Sequence, residues 1–247
     1  MNYRGYRVIC IIPARYNSTR LPAKALADIN GKPMVQYVYE NAEKSDIFDD
    51  IIVATDDKRI FNSVKSFGGK AVITSARHKS GTDRVAEVAK KISCDIVVNI
   101  QCDEPFLHPV NVRLLLNGLL GDSLADVSTL AVKISACDAI KSTDIVKTVV
   151  DSMGYAMYFS RSVIPFNRDN IDLNYYKHIG IYAYRKPYLM RFVKMKESSL
   201  ERAEKLEQLR ILENGGRIRV VITRKDSHSV DTEEDLIKAR KLSVNFK

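Results

Sequence analysis

The stretch of sequence that decides the fold is Ile11-Ile12-Pro13-Ala14-Arg15-Tyr16-Asn17-Ser18-Thr19-Arg20-Leu21-Pro22-Ala23-Lys24. It continues an apolar run at residues 8–12 that predicts a buried strand, and it precedes a helix predicted from Pro33. Between the strand and the helix lie three cations, Arg15, Arg20 and Lys24. A strand that ends in a cationic loop before a helix is typical of phosphate-binding sites, although a solvated basic turn has the same local pattern.

Short runs rich in Val and Ile alternate with amphipathic stretches through the first hundred residues. The predicted strands are residues 8–12, 51–54, 71–73 and 95–100, and the predicted helices are residues 33–44, 59–67 and 81–91. Repeated β-then-α units predict an α/β fold with a doubly wound, mostly parallel sheet and helices on both faces. The chain has no G-x-x-x-x-G-K-[ST] phosphate loop and no G-x-G-x-x-G after the first strand, which disfavours a classical dinucleotide fold.

Three polar loops follow predicted strands, at residues 13–24, 75–84 and 101–105. Parallel sheets bind ligands beyond the carboxyl ends of their strands, so we expect these loops to form one ligand site. The second loop contains Ser80-Gly81-Thr82 at the start of a helix. Its hydroxyls and backbone N–H groups could read a base edge or hold a phosphate, and a plain helix cap explains them equally well.

The second half of the chain is less regular, with a polar stretch at residues 167–176 that has no periodicity. The predicted strands are residues 126–132, 146–150, 155–160, 178–184 and 217–223, and the predicted helices are residues 199–213 and 232–242. No linker is long enough to separate domains. We therefore predict one domain over residues 1–247, with a substrate-binding lobe inserted in its second half.

Composition is that of a soluble globular protein, with 45% apolar and 28% charged residues. A formal net charge of +9 indicates either a generically basic surface or an acidic partner. The lysines are spread along the chain and no aromatic-basic RNA motif is present, which favours small anionic ligands over nucleic acid. The four scattered cysteines favour reduced thiols over a metal cluster or disulfide framework. Apolar runs are strand-sized and the N-terminus lacks an apolar signal core, so we expect a cytoplasmic protein without a membrane span.

Two acidic positions are candidates for holding a divalent cation. Asp103 and Glu104 lie just past the strand predicted at residues 95–100, where a carboxylate could hold Mg²⁺ against a triphosphate. The alternative is that Asp103 only caps the next helix. Asp231 could be a second metal ligand, but Asp231 and Thr232 also fit the electrostatics of a helix N-terminus.

Candidate ligands for an acidic substrate lie in the irregular second half. Arg161 and Arg168 could pair bidentately with the carboxylate of an acidic sugar. On residue type alone, His178 is more typical of a buried structural histidine, and Glu207-Gln208 of a solvated helix face. No Ser/His/Asp order or Cys/His pair suggests covalent catalysis.

A series of motifs runs in order over nearly the whole chain. They are Ile12-Pro13-Ala14-Arg15-Tyr16-x-Ser18-Thr19-Arg20-Leu21-Pro22-x-Lys24, Asn30-Gly31-Lys32-Pro33-Met34, Val53-Ala54-Thr55-Asp56-Asp57, His78-x-Ser80-Gly81-Thr82-Asp83-Arg84, Asn99-x-Gln101-x-Asp103-Glu104-Pro105, Ala156-x-Tyr158-Phe159-Ser160-Arg161-Ser162, His178-x-Gly180-Ile181-Tyr182, Leu206-Glu207-Gln208-Leu209-Arg210 and Val230-Asp231-Thr232-x-Glu234-Asp235. Together they closely resemble the 3-deoxy-manno-octulosonate (Kdo) cytidylyltransferases, also called CMP-Kdo synthetases.

The resemblance implies a nucleotide-diphospho-sugar transferase fold, which is Rossmann-like, and a Mg²⁺-dependent reaction. The anomeric hydroxyl of Kdo, an acidic 2-keto sugar, would attack the α-phosphorus of CTP to give CMP-Kdo and pyrophosphate, for lipopolysaccharide or capsule biosynthesis. It also implies a homodimer, with a nucleotide-binding half at about residues 1–125 and a sugar-binding and dimerisation lobe at about 126–215.

The resemblance also implies a role for particular residues. Those for CTP are Pro13, Ala14, Arg15, Ser18, Arg20, Lys24, Arg77, Ser80, Thr82 and Gln101. Those for the sugar are Gln101, Arg161, Arg168, His178, Tyr182, Glu207 and Gln208. The metal ligands would be Asp103 and Asp231, and the catalytic residues would be Arg15, Lys24, Asp103 and Asp231.

The sequence departs from the family pattern without removing a proposed ligand, so we expect activity to be retained. Ala23 and Cys102 stand where Gly is usual, and Ala25 and Glu233 stand where Pro is usual. We expect Ala23 to be tolerated if its φ is negative. Cys102 would be strained by a positive φ, whereas in an extended backbone its thiol simply packs nearby.

Two alternatives compete with Kdo activation. One is a CMP-transferase for another acidic sugar, such as 8-amino-Kdo or a sialic-acid-like sugar. The other is a basic, non-catalytic protein that binds nucleotides or nucleic acid, with an affinity that falls steeply with salt and needs no Mg²⁺.

Overall fold

The computed structural model describes residues 3–18 and 20–244, and all of their side chains except those of Cys137 and Asp138. Thr19, in the predicted phosphate loop, lies outside the described residues. The strands are β1 Val8–Ala14, β2 Asp28–Ile29, β3 Lys32–Pro33, β4 Asp50–Thr55, β5 Ala71–Ile73, β6 Ile96–Asn99, β7 Val127–Lys133, β8 Lys147–Val150, β9 Ala156–Ser160, β10 Tyr176–Arg185 and β11 Ile218–Thr223. The helices are α1 Met34–Glu43, α2 Lys58–Ser66, α3 Gly81–Lys90, α4 Pro109–Leu120, α5 Cys137–Lys141, α6 Lys186–Phe192, α7 Ser199–Glu204, α8 Gln208–Glu213 and α9 Glu233–Ser243, with a short 3-10 helix at Lys24–Leu26.

The chain divides into two compact units. One combines the segment up to Arg113 with the segment from Ser227 onward, and the other is Leu114–Asp226. The last helix therefore belongs to the same unit as the first strand, and with it comes Asp231. The assignment of the whole chain to a single domain, with halves meeting near residue 125, stays a prediction.

The first unit is built on four parallel strands in the order β6-β1-β4-β5. All seven residues of β1 are buried, as are five of the six in β4. Such continuous burial is typical of parallel strands covered by helices on both faces. In α1, the side predicted to be apolar is buried, since Met34, Val35 and Val38 are each at most 1% exposed. The parallel sheet predicted for the first half is confirmed.

The second unit has a mixed sheet. β7 pairs parallel with β11 and antiparallel with β10, whose register shifts between Ile179 and Tyr182. β8 pairs antiparallel with both β10 and β9. Within the described residues, no helix combines the length and hydrophobicity needed to cross a membrane.

The prediction of one continuous helix at residues 199–213 is wrong. The chain forms α7 and α8 instead, and Lys205 between them adopts the left-handed conformation with φ 56°. A contact between the two helices stabilises the break, because Arg210 of α8 donates to the Glu201 carboxylate of α7 at 2.7 and 2.5 Å. Sequence analysis also missed α5, α6 and the short pair β2–β3.

Candidate active site

Lys24 joins the two carboxylates predicted to hold a metal. Its Nζ donates to Asp103 Oδ2 at 2.6 Å and to Asp231 Oδ1 at 2.9 Å. Asp103 follows β6, Asp231 precedes α9, and Lys24 begins the 3-10 helix. Burial lowers the pKa of Lys24, but the attraction and hydrogen bonds of Asp103 and Asp231 outweigh it and raise the pKa overall. Lys24 is therefore a charged ammonium between two carboxylates.

Arg20 adds a second cation to this cluster, with Nη2 3.0 Å from Asp231 Oδ1. Two carboxylates that converge on one ammonium provide a site that fits a cation, and oxygen ligands are those Mg²⁺ prefers. Among the residues that the structure describes, no three His, Cys, Asp or Glu side chains group as a metal site. A divalent ion here would complete its coordination with water and substrate oxygens.

The cluster is assembled by contacts between the Asp103 loop and the segment before α9. Val230 N donates to Asp103 O at 2.9 Å, and the Ser227 hydroxyl donates to the buried carboxylate of Glu104. Glu104, the other acidic residue after β6, thus binds the C-terminal segment. The helix cap of α9 is Thr232, whose side chain accepts from Asp235 N. The side chain of Asp231 therefore does not cap this helix, and it contacts Lys24 instead.

The cationic loop is held by a stacked arginine. Tyr16 O accepts from Ala23 N at 3.2 Å, which closes the loop. The guanidinium of Arg59 lies 3.3 Å from the centroid of the Tyr16 ring and is bound at two points by Asp57. Arg15, directly after β1, has an exposed side chain. Sequence analysis did not identify Arg59, because its partner Tyr16 lies on another loop.

Two departures from the family pattern have opposite outcomes. Ala23 has φ 54° and ψ 29°, so the condition under which we expected it to be tolerated, a negative φ, is not met. A Cβ in this left-handed region costs energy that Gly avoids. Cys102 has a negative φ and is 7% exposed, so its thiol packs without backbone strain. Burial, and then the charge of Asp103, raises the pKa of Cys102 to about 12, which keeps it a neutral thiol.

Some of the residues predicted for CTP meet at the start of α3. A Cβ on Gly81 would lie 3.3 Å from both Gln101 Oε1 and Pro13 Cγ. Ser80 caps the helix by accepting from Asp83 N, so the cap reading of its hydroxyl is correct. Gln101 also donates to Asn99 Oδ1 at 3.1 Å. Pro13, Gly81 and Gln101 are therefore neighbours. Three more of the residues predicted for CTP lie nearby in sequence. Thr82 is buried directly after Gly81, Ala14 is the last residue of β1, and Ser18 is partly buried in the cationic loop.

The loop that carries Arg77 is held by Glu87, which sequence analysis missed. The Glu87 carboxylate accepts from Ser75 N at 2.9 Å and lies 2.7 Å from His78 Nε2. These hydrogen bonds lower the pKa of Glu87 to about 2. Arg77 itself is exposed, and its backbone N–H donates to Ser75 Oγ.

The second unit holds the residues predicted for an acidic sugar. Arg161 follows β9, and its guanidinium donates to the carbonyls of Glu204 at 3.0 Å and Thr143 at 3.1 Å. Arg168 is exposed in a turn, where the described part of the chain gives it no ion pair. The expectation of a solvated face is wrong for Gln208, which is 5% exposed.

His178 and Tyr182 are neutral hydrogen-bonding groups. Thr129 Oγ1 lies 2.8 Å from Ile181 O and 3.0 Å from His178 Nε2. Because the hydroxyl donates to the carbonyl, Nε2 carries the proton and Nδ1 is the acceptor. Burial lowers the pKa of His178 to about 3. Burial, and then the charges of Tyr184 and Glu207, hold the pKa of Tyr182 well above its usual value.

Comparison with known proteins gives consistent matches. The cytidylyltransferase family model matches residues 9–225. A 3-deoxy-manno-octulosonate cytidylyltransferase from Geobacter metallireducens is 48% identical over 94% of this chain and 96% of its own length. A solved CMP:2-keto-3-deoxy-manno-octonic acid synthetase, complexed with CTP, is 44% identical with a TM-score of 0.92, covering 97% of this chain and 99% of that one. A 4-diphosphocytidyl-2C-methyl-D-erythritol synthase from Anaerococcus prevotii shares the fold at 15% identity, with a TM-score of 0.63 over 96% of this chain and 98% of that one. The predicted nucleotidyltransferase fold is confirmed.

Proposed function

Because this chain belongs to the 3-deoxy-manno-octulosonate cytidylyltransferase family, we propose that it transfers CMP from CTP to Kdo and releases pyrophosphate. The anomeric hydroxyl oxygen attacks the α-phosphorus, the bond from that phosphorus to the oxygen that bridges it to the β-phosphorus breaks, pyrophosphate leaves with that oxygen, and the hydroxyl proton passes to solvent. The observation that carries the proposal is the convergence of Lys24 with Asp103 and Asp231, a cation and two carboxylates suited to a metal-bound triphosphate. The names of the relatives favour Kdo over the other acidic sugars.

The first unit supplies the groups proposed for the nucleotide. Arg15, Arg20 and Lys24 hold the phosphate oxygens and stabilise the charge that develops on leaving pyrophosphate. On the cytosine side, the proximity of Pro13 and Gln101 to Gly81 supports a common binding surface. The remaining proposed CTP ligands are Ala14, Ser18, Arg77, Ser80 and Thr82.

Mg²⁺ is the proposed cofactor, and Asp103 and Asp231 would hold it. When bound, it neutralises phosphate charge and orients the α-phosphorus for in-line attack. Lys24 then exchanges its two carboxylates for phosphate oxygens. Before this exchange, the two carboxylates raise the pKa of Lys24 and keep the amine protonated.

The second unit supplies the groups proposed for the sugar. Arg161 and Arg168 bind the carboxylate of Kdo. Neutral His178 accepts a sugar hydroxyl at Nδ1, and the neutral Tyr182 phenol can donate to another. Glu207 and Gln208, at the start of α8, complete the set in this unit.

We also propose that the protein is a cytoplasmic homodimer that serves lipopolysaccharide or capsule biosynthesis. One stretch of the second unit supports the dimer, since Met157, Phe166 and Ile171 are 63%, 85% and 63% exposed. Large apolar side chains that are exposed to solvent are typical of protein interfaces.

Pyrophosphate release tests the reaction. The protein is incubated with CTP and Mg²⁺ and with Kdo, 8-amino-Kdo or a sialic acid. We expect release with Kdo to exceed that with the other two acids, and no release without Mg²⁺. No release with any 2-keto sugar acid would overturn the proposal, and Mg²⁺-independent CTP binding that falls steeply with salt would favour a non-catalytic binding protein.

A further inference from the structure

We infer that Glu204 and Lys147 are positioning residues, which fix Arg161 in the orientation that binds the substrate carboxylate. The identity of the ligand rests on the proposed function. The positioning network itself rests on contacts within the second unit.

Arg161 is held at four points. Its backbone N–H donates to Glu204 Oε2 at 3.0 Å, and its Nε donates to the Glu204 carbonyl at 3.0 Å. Its Nη1 donates to Thr143 O at 3.1 Å, and its own carbonyl accepts from Lys147 Nζ at 2.5 Å. Both guanidinium acceptors are neutral carbonyls, and within the described residues no carboxylate forms an ion pair with Arg161. Its positive charge is oriented without being neutralised, which suits an anionic ligand.

Lys147 explains how the Thr143 carbonyl is held in place. The side chain is fully buried, and its Nζ donates to three carbonyls, those of Ser142 at 2.8 Å, Ile145 at 2.7 Å and Arg161. Three acceptors use the whole donor capacity of an ammonium. Burying a charge is costly, and an apolar residue would fill the space without that cost. The Lys147 ammonium therefore holds the loop at residues 142–145 against Arg161.

Glu204 connects Arg161 to the other proposed sugar ligands. Besides the Arg161 N–H, its carboxylate accepts from Ser160 Oγ at 2.5 Å. Glu204 ends α7, and the left-handed Lys205 turns the chain toward Glu207 at the start of α8. One residue thus fixes Arg161 against the turn that carries Glu207 and Gln208. A site fixed before binding loses less conformational entropy when the ligand arrives.

A double-mutant cycle tests the inference with Glu204→Gln, Arg161→Ala and the double variant. The amide nitrogen of Gln cannot accept the hydrogen bond that one carboxylate oxygen accepts, so the positioning of Arg161 is lost. We expect Glu204→Gln to raise KM for Kdo about tenfold while KM for CTP changes by less than about twofold. Because Glu204 acts through Arg161, the double variant should match Arg161→Ala alone.

Glu213→Gln is a matched control. Glu213 also accepts from one hydroxyl and one backbone N–H, those of Ser199 at 2.8 Å and Leu200 at 3.1 Å. The Glu213→Gln variant should leave KM for Kdo unchanged. Lys147→Met should reproduce the effect of Glu204→Gln. If Lys147→Met does not fold, the double-mutant cycle of Glu204 and Arg161 still tests the positioning role.

Additive effects of Glu204→Gln and Arg161→Ala, or an equal rise in both KM values, would overturn the inference. If the wild-type protein binds Kdo without releasing pyrophosphate, the proposed reaction is wrong, and the same cycle measured as Kd by calorimetry decides the positioning role. If the wild-type protein does not bind Kdo, both proposals fail.

Discussion

At the scale of single residues, Lys24 lies where the proposed metal would be held. Its ammonium contacts both carboxylates within hydrogen-bond distance, and its side chain is 16% exposed. A divalent cation that reaches the free protein must displace this ammonium before it can bind. If Asp103 and Asp231 hold a metal as proposed, its binding would be coupled to the release of Lys24 to the phosphates, which would favour entry of the metal together with CTP.

Lys24→Met should raise the affinity for Mn²⁺ in the absence of nucleotide by about tenfold, because two uncompensated carboxylates remain. Turnover should fall, because the phosphates lose a ligand. Mn²⁺ affinity is measured by electron paramagnetic resonance of the free ion. Lys32→Met is the control, since Lys32 pairs with Glu40 instead. Unchanged or weaker Mn²⁺ binding in Lys24→Met would contradict the coupling.

Ala23 is a second residue whose backbone determines the outcome of a substitution. Its φ of 54° is a conformation that Gly adopts without cost. Ala23→Gly should therefore raise the free energy of unfolding by about 1 kcal/mol, measured by urea denaturation. Ala25→Gly is the matched control: Ala25 is 2% exposed in the adjacent 3-10 helix, where Gly should destabilise. A loss of stability in Ala23→Gly would show that the left-handed position carries no strain.

At the scale of secondary structure, the local sequence pattern was sufficient to predict an element where its buried side chains recur at a regular period. β1 and α1 were predicted to within two residues at each end, because an apolar run and a 3.6-residue apolar period directly reflect the faces that are buried. The helix predicted at residues 199–213 failed because long-range contacts override helix propensity. Glu204 binds Ser160 and Arg161, and its carbonyl accepts from the Arg161 side chain.

The candidate site shows the same division. The cationic loop and Asp103 were candidates because of residue type and position after a strand, whereas Asp231 was a candidate before the last helix, and their roles stay predictions. Arg59 and Glu204 were not candidates, because each acts on a side chain or backbone group that only the fold brings near. Backbone conformation was also hidden, which is why the sequence left the sign of φ at Ala23 open.

At the scale of the whole molecule, chain connectivity assembles the candidate metal site from distant segments. Lys24 and Asp231 are 207 positions apart in sequence, yet both belong to the first unit, because the chain returns to it from Ser227 onward. The second unit is thus an insertion within the first.

The exposed apolar stretch of the second unit determines the expected oligomeric state. Phe166 is 85% exposed and contributes little to folding, yet it is costly to leave in water. Phe166→Asp should therefore convert a dimer into a monomer without changing the circular dichroism spectrum, since a buried charge at an interface is strongly unfavourable. Analytical ultracentrifugation of wild type and variant checks this. Leu124→Asp, at a 60% exposed residue outside that stretch, should stay dimeric. A monomeric wild type, or a Phe166→Asp variant that remains dimeric, would show that this stretch does not form the interface.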